Sequence, residues 1–385
     1  MQLITGSSEL EDFCQAAQKF DFITIDTEFH RETTYWPILC LVQVATSDDA
    51  VLIDPMAKEI DLEPLLKLLA NPEIVKVFHA ARQDIEIFVK ISGSVPTPVF
   101  DSQVAASVCG YGDSVSYDKL VAAIVGAQID KSSRFTDWAA RPLTDKQKSY
   151  ALADVTHLRD IYLSLSKKLE QLDRVNWMRD EQKIIESLDT YQLDPKDAWK
   201  RLKPKVNRPR DLAALKELAA LRERKAQEND RPRRRILKDD ALYELAIQRP
   251  KSPKDFDRLR AVPKGFGNSR IGDEIIKLSQ KIENIPEKNL PALPKRKSGP
   301  SPKGPVGDLL RVLVKTVAER EGVASRIIAN SDDIDELVLN DNADIAALSG
   351  WRLEIFGKKA LAVKHGKLAL AATPEGIIEI EIDKT

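Results

Sequence analysis

Four runs of β-branched and apolar residues lie in the first eighty positions: FITIDTEF (22–29), LCLVQVAT (39–46), AVLIDP (50–55) and VKVFHA (75–80). Short, rich in Val and Ile and bounded by turn residues, they predict strands, the first three arranged as a meander. Helical spacing of apolar positions follows in LEPLLKLLAN, ARQDIEIFVKIS, SQVAASVCGYG and SYDKLVAAIVGAQ. A much longer helix is predicted from Thr144 as N-cap, with Ala151, Val155, Leu158, Ile161 and Leu165 on one face. Antiparallel strands first and helix-linked strands afterwards predict an α/β domain with a mixed sheet.

One feature disturbs this apolar pattern. Asp26 and Glu28 interrupt the first strand, and side chains two apart on a strand share a face. Two carboxylates there repel each other and lose hydration, so a positive partner is expected between them. Asp84 sits in the first turn of the helix after VKVFHA, a position that serves the helix dipole in any protein. Tyr150 and Asp154 are four apart on the long helix and therefore stack on one face. Singly, each of these is an ordinary structural residue; only the combination carries a chemical meaning.

The formal net charge of −1 over 385 residues conceals a polarised chain. Residues 195–305 hold 30 Lys and Arg against 15 Asp and Glu, an excess of +15. Residues 1–194 carry −12 and residues 306–385 carry −4. A basic middle of this size reads as a footprint for a polyanion, and the acidic first half as a place for cations. Cys14, Cys40 and Cys109 are far apart with no CxxC pair, which argues for a reducing, cytoplasmic setting and against a zinc site. No apolar run approaches the length of a membrane span, and the start MQLITGSSELEDF lacks the pattern of a secretory signal.

The basic middle predicts a small all-helical domain at 208–283: an Ala/Leu-faced helix from 210, a basic loop RPRRRILKDD leading into a second helix, a third opened by Ser252 and Pro253, and a Gly-rich turn GFGNSR before a last helix. A connector at 173–207 precedes it, and a Pro/Lys-rich linker at 284–304 follows. The chain then repeats itself. SRIIANSDDIDELV (325–338) echoes RRRILKDDALYELA (233–246), so residues 305–372 predict a second, acidic copy with a more structural role, and 373–385 a tail with strand-like alternation.

DTEF, FHAARQDIEIF and YALADV resemble the three exonuclease motifs of the DEDD superfamily in its tyrosine-containing branch. DTEFHRETTYWPILCLVQVA, DWAARPLTDKQKSYALADV and MRDEQKIIESLDTYQLDPKDAWKRLK extend that resemblance to the ribonuclease D family, over nearly the whole chain. The resemblance implies a ribonuclease H-like 3′→5′ exonuclease domain at 1–172 followed by two HRDC domains. It implies two divalent cations, Mg²⁺ or Mn²⁺, with Asp26 shared, Glu28 and Asp154 completing the first site and Asp84 holding the second. Hard carboxylate ligands suit those ions. One ion would acidify a water and the other stabilise the leaving 3′-oxygen, while Tyr150 orients the attacking water. A phenol with an ordinary pKa near 10 is protonated at neutral pH, which leaves orientation rather than proton abstraction as its role.

The implied reaction is removal of nucleoside 5′-monophosphates from single-stranded 3′ ends of RNA, precursor tRNA foremost, by a monomer with no obligate protein partner. A DNA-directed exonuclease and a catalytically idle RNA-binding adaptor are the alternatives. Candidate RNA contacts are His30, Arg31, Gln43, His79 and Arg141 in the first domain, and Arg233, Arg234, Arg235, Lys264 and Arg270 in the basic one. Each has a plain structural reading beside it: a polar loop for His30 and Arg31, a buried hydrogen bond for Gln43, packing for His79, a tied-down loop for Arg141. Asp101 reads as a helix cap.

Overall fold

The computed structural model describes residues 2–202, 205–293 and 303–382. Six strands form one mixed sheet in the order β1 (Gln2–Ile4), β4 (Ala50–Ile53), β3 (Ile38–Ala45), β2 (Phe22–His30), β5 (Val75–Phe78), β6 (Val99–Asp101). β3 and β4 pair antiparallel, whereas β1–β4, β2–β5 and β5–β6 are parallel. The mixed sheet and four of its strands match the sequence pattern. β1 and β6 do not stand out in it, because three residues are too few to show alternation. The connecting helices are α1 (Ser7–Ala17), α2 (Glu63–Ala70), α3 (Arg82–Ser92), α4 (Ser102–Val108), α5 (Tyr117–Ile124), α6 (Asp145–Gln171) and α7 (Val175–Ile185).

α6 begins where a capping box fixes it: Thr144 accepts from the Gln147 amide while the Gln147 side chain accepts from the Thr144 amide. Its apolar stripe (Ala151, Val155, Leu158, Ile161, Leu165) is fully buried against the sheet and neighbouring helices. Thr24 of β2, two residues before Asp26, donates to the Val155 carbonyl of α6 at 2.8 Å. That single buried bond locks the acidic end of the strand beside the Tyr150–Asp154 turn.

The chain divides into two compact units. Residues 29–39 and 188–293 make one of them. Its core surrounds α8 (Pro209–Glu228), which is buried nearly all round rather than along one face (Leu212, Leu215, Leu218, Ala219 and Ala226 among others). α9 (Arg233–Ile236), α10 (Asp239–Gln248) and α11 (Arg270–Glu283) complete it. The segment opened by Ser252 and Pro253 has its capping box with Asp255 but winds as a 3₁₀ turn, Pro253–Arg258, not as an α-helix. Tyr35, 5% exposed, belongs to this unit: its hydroxyl donates to Glu223 and accepts from Gln227 and Arg233.

The other unit joins the sheet domain to residues 303–382. Here α12 (Pro305–Glu321), α13 (Ser325–Ile328) and α14 (Ser331–Leu339) lead to a helix widened by one π turn at Leu353–Gly357, then to the hairpin β7 (Leu368–Thr373) and β8 (Gly376–Glu381). A hairpin reaching back to 368 replaces the single strand expected from 373; residues 383–385 and most of the 284–304 linker lie outside the described residues. Trp177 and Trp351 stack at 4.2 Å and 6° between the two parts, and Arg352 pairs with Glu181. The Ala324 amide donates to the Ser107 carbonyl at 3.1 Å, and Arg174 donates to carbonyls of both parts, Val108 and Glu321. Gly110 (φ +84°) lies so close to Gly322 that a Cβ would collide with the Gly322 carbonyl oxygen, so only glycine permits this approach. Among the described residues no helix is long and apolar enough to cross a membrane.

Candidate active site

Asp26 and Glu28 project from one face of β2, and Asp154 meets them from α6. One carboxylate oxygen from each lies within 4.8 Å of the other two. Asp84 stands apart from this trio: buried at the start of α3, it accepts a hydrogen bond from the Thr27 hydroxyl. Asp101 builds the turn that delivers it. As N-cap of α4 it accepts from Gln103 and Val104, and it also accepts from the Ala80 and Ala81 amides at 3.0 and 2.9 Å, just ahead of α3. Ala80 is held there at φ +59°.

Burial drives all four acids toward the neutral form, and mutual repulsion adds to it at Asp26 and Glu28. Burial first, then the charges of Asp84, Asp154 and Glu28, push Asp26 well above the usual carboxylate range. Glu28 is raised to about 9 by burial, with Asp154 and Asp84 adding to it. Asp84 and Asp154 are raised to about 7, chiefly by burial. Opposing this, the Tyr150 hydroxyl donates to Asp154, and Arg134 offers a more distant positive charge to Glu28 and Asp154. Burial also pushes the Tyr150 phenol upward, with Asp154, Glu28 and Asp26 reinforcing the shift, so it is held as a donor. One guanidinium against four acids leaves the cluster short of positive charge. A donor set made only of carboxylate oxygens with that deficit fits a hard divalent cation.

The trio opens on a cavity of about 310 Å³ lined by Asp26, Asp154 and Tyr150 together with His79, Gln103, Tyr117, Lys131 and Arg134. His79 hydrogen-bonds Ser102 through Nδ1 at 2.9 Å, while its Nε2 is buried without a partner among the described residues. Burial lowers its pKa, which keeps the ring neutral. Tyr117 donates to the Ala153 carbonyl at 3.0 Å, beside Asp154. Arg134 and Lys131 have no distinguishing signal in the sequence: KSSRFTDW is a polar loop, and only its fold against α6 gives these cations a direction. Phe135, next to Arg134, is 90% exposed.

The remaining expected RNA contacts fare differently. Arg141 is consumed by structure. It forms a bidentate pair with Asp54 (2.7 Å at both contacts) and donates to the carbonyls of Cys40, Trp138 and Ala140. Arg141→Lys, which cannot keep this fork, is therefore expected to lower stability by about 2–4 kcal/mol with KM for RNA unchanged; a raised KM at unchanged melting temperature would return Arg141 to the substrate. Gln43 is fully buried on β3, out of reach of RNA, and its amide has no partner among the described residues. Arg233 pairs with Glu223 (Nε–Oε2 2.7 Å) and lies over the Tyr35 ring at 4.5 Å. Arg31 donates to the Tyr35 carbonyl at 3.3 Å and His30 is half-buried. Arg234, Arg235, Lys264 and Arg270 are exposed.

Residues 1–170 match the 3′-5′ exonuclease family and residues 211–278 the HRDC domain. Ribonuclease D of Bartonella henselae is 48% identical over 369 residues, 96% of this chain and 91% of the relative. The chain belongs to the ribonuclease D family. Ribonuclease D of Nitrobacter hamburgensis is 46% identical over 381 residues, covering 99% of this chain and all of the relative. The crystal structure of Escherichia coli RNase D, described as an exoribonuclease involved in structured RNA processing, superposes with a TM-score of 0.84 at 30% identity, over 95% of this chain and 98% of that one. The ribonuclease D family fixes the activity as that of a metal-dependent 3′→5′ exoribonuclease. One HRDC domain is matched, where the sequence pattern suggested two.

Proposed function

We propose that Asp26, Glu28, Asp84 and Asp154 hold a pair of Mg²⁺ or Mn²⁺ ions and that Tyr150 sets the geometry of attack at the 3′-terminal phosphodiester of a single-stranded RNA end. The observation that carries this reading is the trio of carboxylates within 4.8 Å, charge-deficient and open to a cavity that Tyr150 also lines. When bound, the ions supply an acidified water and charge stabilisation for the leaving 3′-oxygen. The protein does the rest. Thr24 and Asp101 fix the two backbone segments that present the acids. Tyr150, kept protonated, orients the water through its hydroxyl, and the neutral His79 and exposed Arg134 line the space that the terminal nucleotide needs.

Precursor tRNA and other small structured RNAs are the substrates this reading favours. The basic module at 208–283, with Arg234, Arg235, Lys264 and Arg270 exposed, supplies the phosphate-binding charge that an acidic nuclease surface lacks. Residues 305–372 are read as a second, divergent HRDC domain. The test is a 5′-labelled RNA with a single-stranded 3′ tail, incubated with Mg²⁺ or Mn²⁺ and with EDTA, beside a matched DNA. A ladder shortening from the 3′ end, abolished by EDTA and faster on RNA, is expected; equal rates on DNA would overturn the substrate assignment. Tyr150→Phe should reduce kcat by about 10–100-fold with KM changed less than twofold, since misplacing a reactant costs rate rather than binding.

A further inference from the structure

The C-terminal part of the chain is acidic in sum, yet its charge is sorted. Arg311 and Lys315, four apart on α12, share a cleft of about 520 Å³ with Arg326 of α13. A second cavity, about 230 Å³, is also lined by Arg326 and reaches Gln103 and Ser114. Those two residues in turn line the cavity of the acid trio. Three adjoining hollows thus run from Asp26 and Asp154, past Gln103 and Ser114, over Arg326, to Lys315. The side chains of Lys315 and Arg326 are exposed and form no ion pair among the described residues. Most carboxylates along the way are engaged: Glu181 by Arg352, Asp113 by the Arg326 amide and the Ser325 hydroxyl. Asp332, in the first turn of α14, is exposed at the far end.

We propose that this groove is the track for the RNA strand upstream of the cleaved nucleotide, with Arg326 and Lys315 contacting successive backbone phosphates. The occupant follows from continuity and charge: a polyanion whose 3′ end lies at the acid trio leaves the cavity by a path that two exposed, unpaired cations flank. The C-terminal part is then a working half of the substrate channel, not only a structural prop. The inference rests on the 3′ end of RNA entering the cavity beside Tyr150.

The test uses the full-length protein, with binding of 5′-fluorescein RNAs of 3 and 12 nucleotides measured by anisotropy in EDTA across a salt series. Lys315→Ala/Arg326→Ala should weaken the 12-mer about tenfold and the trimer much less. It should also make log K against log salt shallower by about 1.4, two phosphate contacts at ~0.7 each. Arg326→Lys should restore most of the slope, because the contact is to charge, and melting temperature reports folding of every variant. Unchanged 12-mer affinity and slope in a folded double variant would overturn the track. Wild-type shortening of the same RNA from its 3′ end, measured in parallel with metal, separates that failure from a failure of the entry assignment.

Discussion

Asp154→Asn is expected to lower the rate of RNA shortening by roughly a thousandfold or more, the scale of losing one preorganised electrostatic element from a hydrolytic site. The substitution keeps size and removes one negative charge at the point where three carboxylate oxygens converge within 4.8 Å. Tyr150, which donates to the Asp154 carboxylate, loses its charged acceptor in the same stroke. Metal affinity and orientation of the attacking water therefore fail together, so doubling Asp154→Asn with Tyr150→Phe should cost little beyond the single change. In EDTA the variant should melt at the same temperature as the wild type or higher, because one of four mutually repelling acids has been neutralised. Single-turnover rates on a 5′-labelled RNA, paired with melting curves in EDTA, check both halves. Near-wild-type turnover would remove Asp154 from the active centre.

Stability of the metal-free protein should fall as pH rises. The sign follows from linkage. Asp26, Glu28, Asp84 and Asp154 all bind protons more tightly folded than unfolded, their folded values being about 9 for Glu28 and about 7 for Asp84 and Asp154. Below about pH 4, the ordinary carboxylate value, their contribution is fully present. It drains away as pH climbs through 7 and on toward 9. Mn²⁺ or Mg²⁺ should reverse the trend, since the ions compete with those protons and bind better as the acids ionise. At a hundredfold excess over Kd, binding adds ~2.7 kcal/mol, a rise of about 3 °C in melting temperature for a chain of 385 residues. Differential scanning fluorimetry at pH 6.0 and 8.5, with EDTA or Mn²⁺, gives the answer: the metal-induced shift must be larger at pH 8.5. A shift that is absent, or larger at pH 6.0, would mean that the acids are not the ligands.

The acid pair of β2 is legible in the chain itself, for a reason peculiar to it. Asp26 and Glu28 interrupt a strand whose every other lesson is burial, and a carboxylate pair in such a place needs chemistry to explain it. Thr144 announces the start of α6, and local rules suffice because a cap acts within the four residues that Thr144 and Gln147 span. What stayed hidden depends on partners distant in sequence. Arg141 and Asp54 are 87 residues apart, and nothing local distinguishes an arginine that braces a loop from one that waits for phosphate. Tyr35 and Arg233 converge on Glu223 in the same way. Nothing in VKVF marks Lys76 as internal, yet it is fully buried with its amine on the carbonyls of Asn71, Ile74 and Thr97. Arg134, whose charge acts on Glu28 and Asp154, sits in a loop without periodicity, and only the tertiary fold sets it at the mouth of their cavity.

The seam around Trp351 bears on how the molecule is made. The face of α4 and α7 that receives it carries Trp177, whose stacking partner is Trp351, and Arg174, one of whose carbonyl acceptors is Glu321. On a ribosome the sheet and all four acids emerge about 170 residues before that cover is synthesised. Until then the nascent nuclease holds an uncovered Trp177 and an arginine that has only the Val108 carbonyl to donate to. A chain cut short before residue 321 therefore leaves that surface open, and residues 321–351 are what cover it.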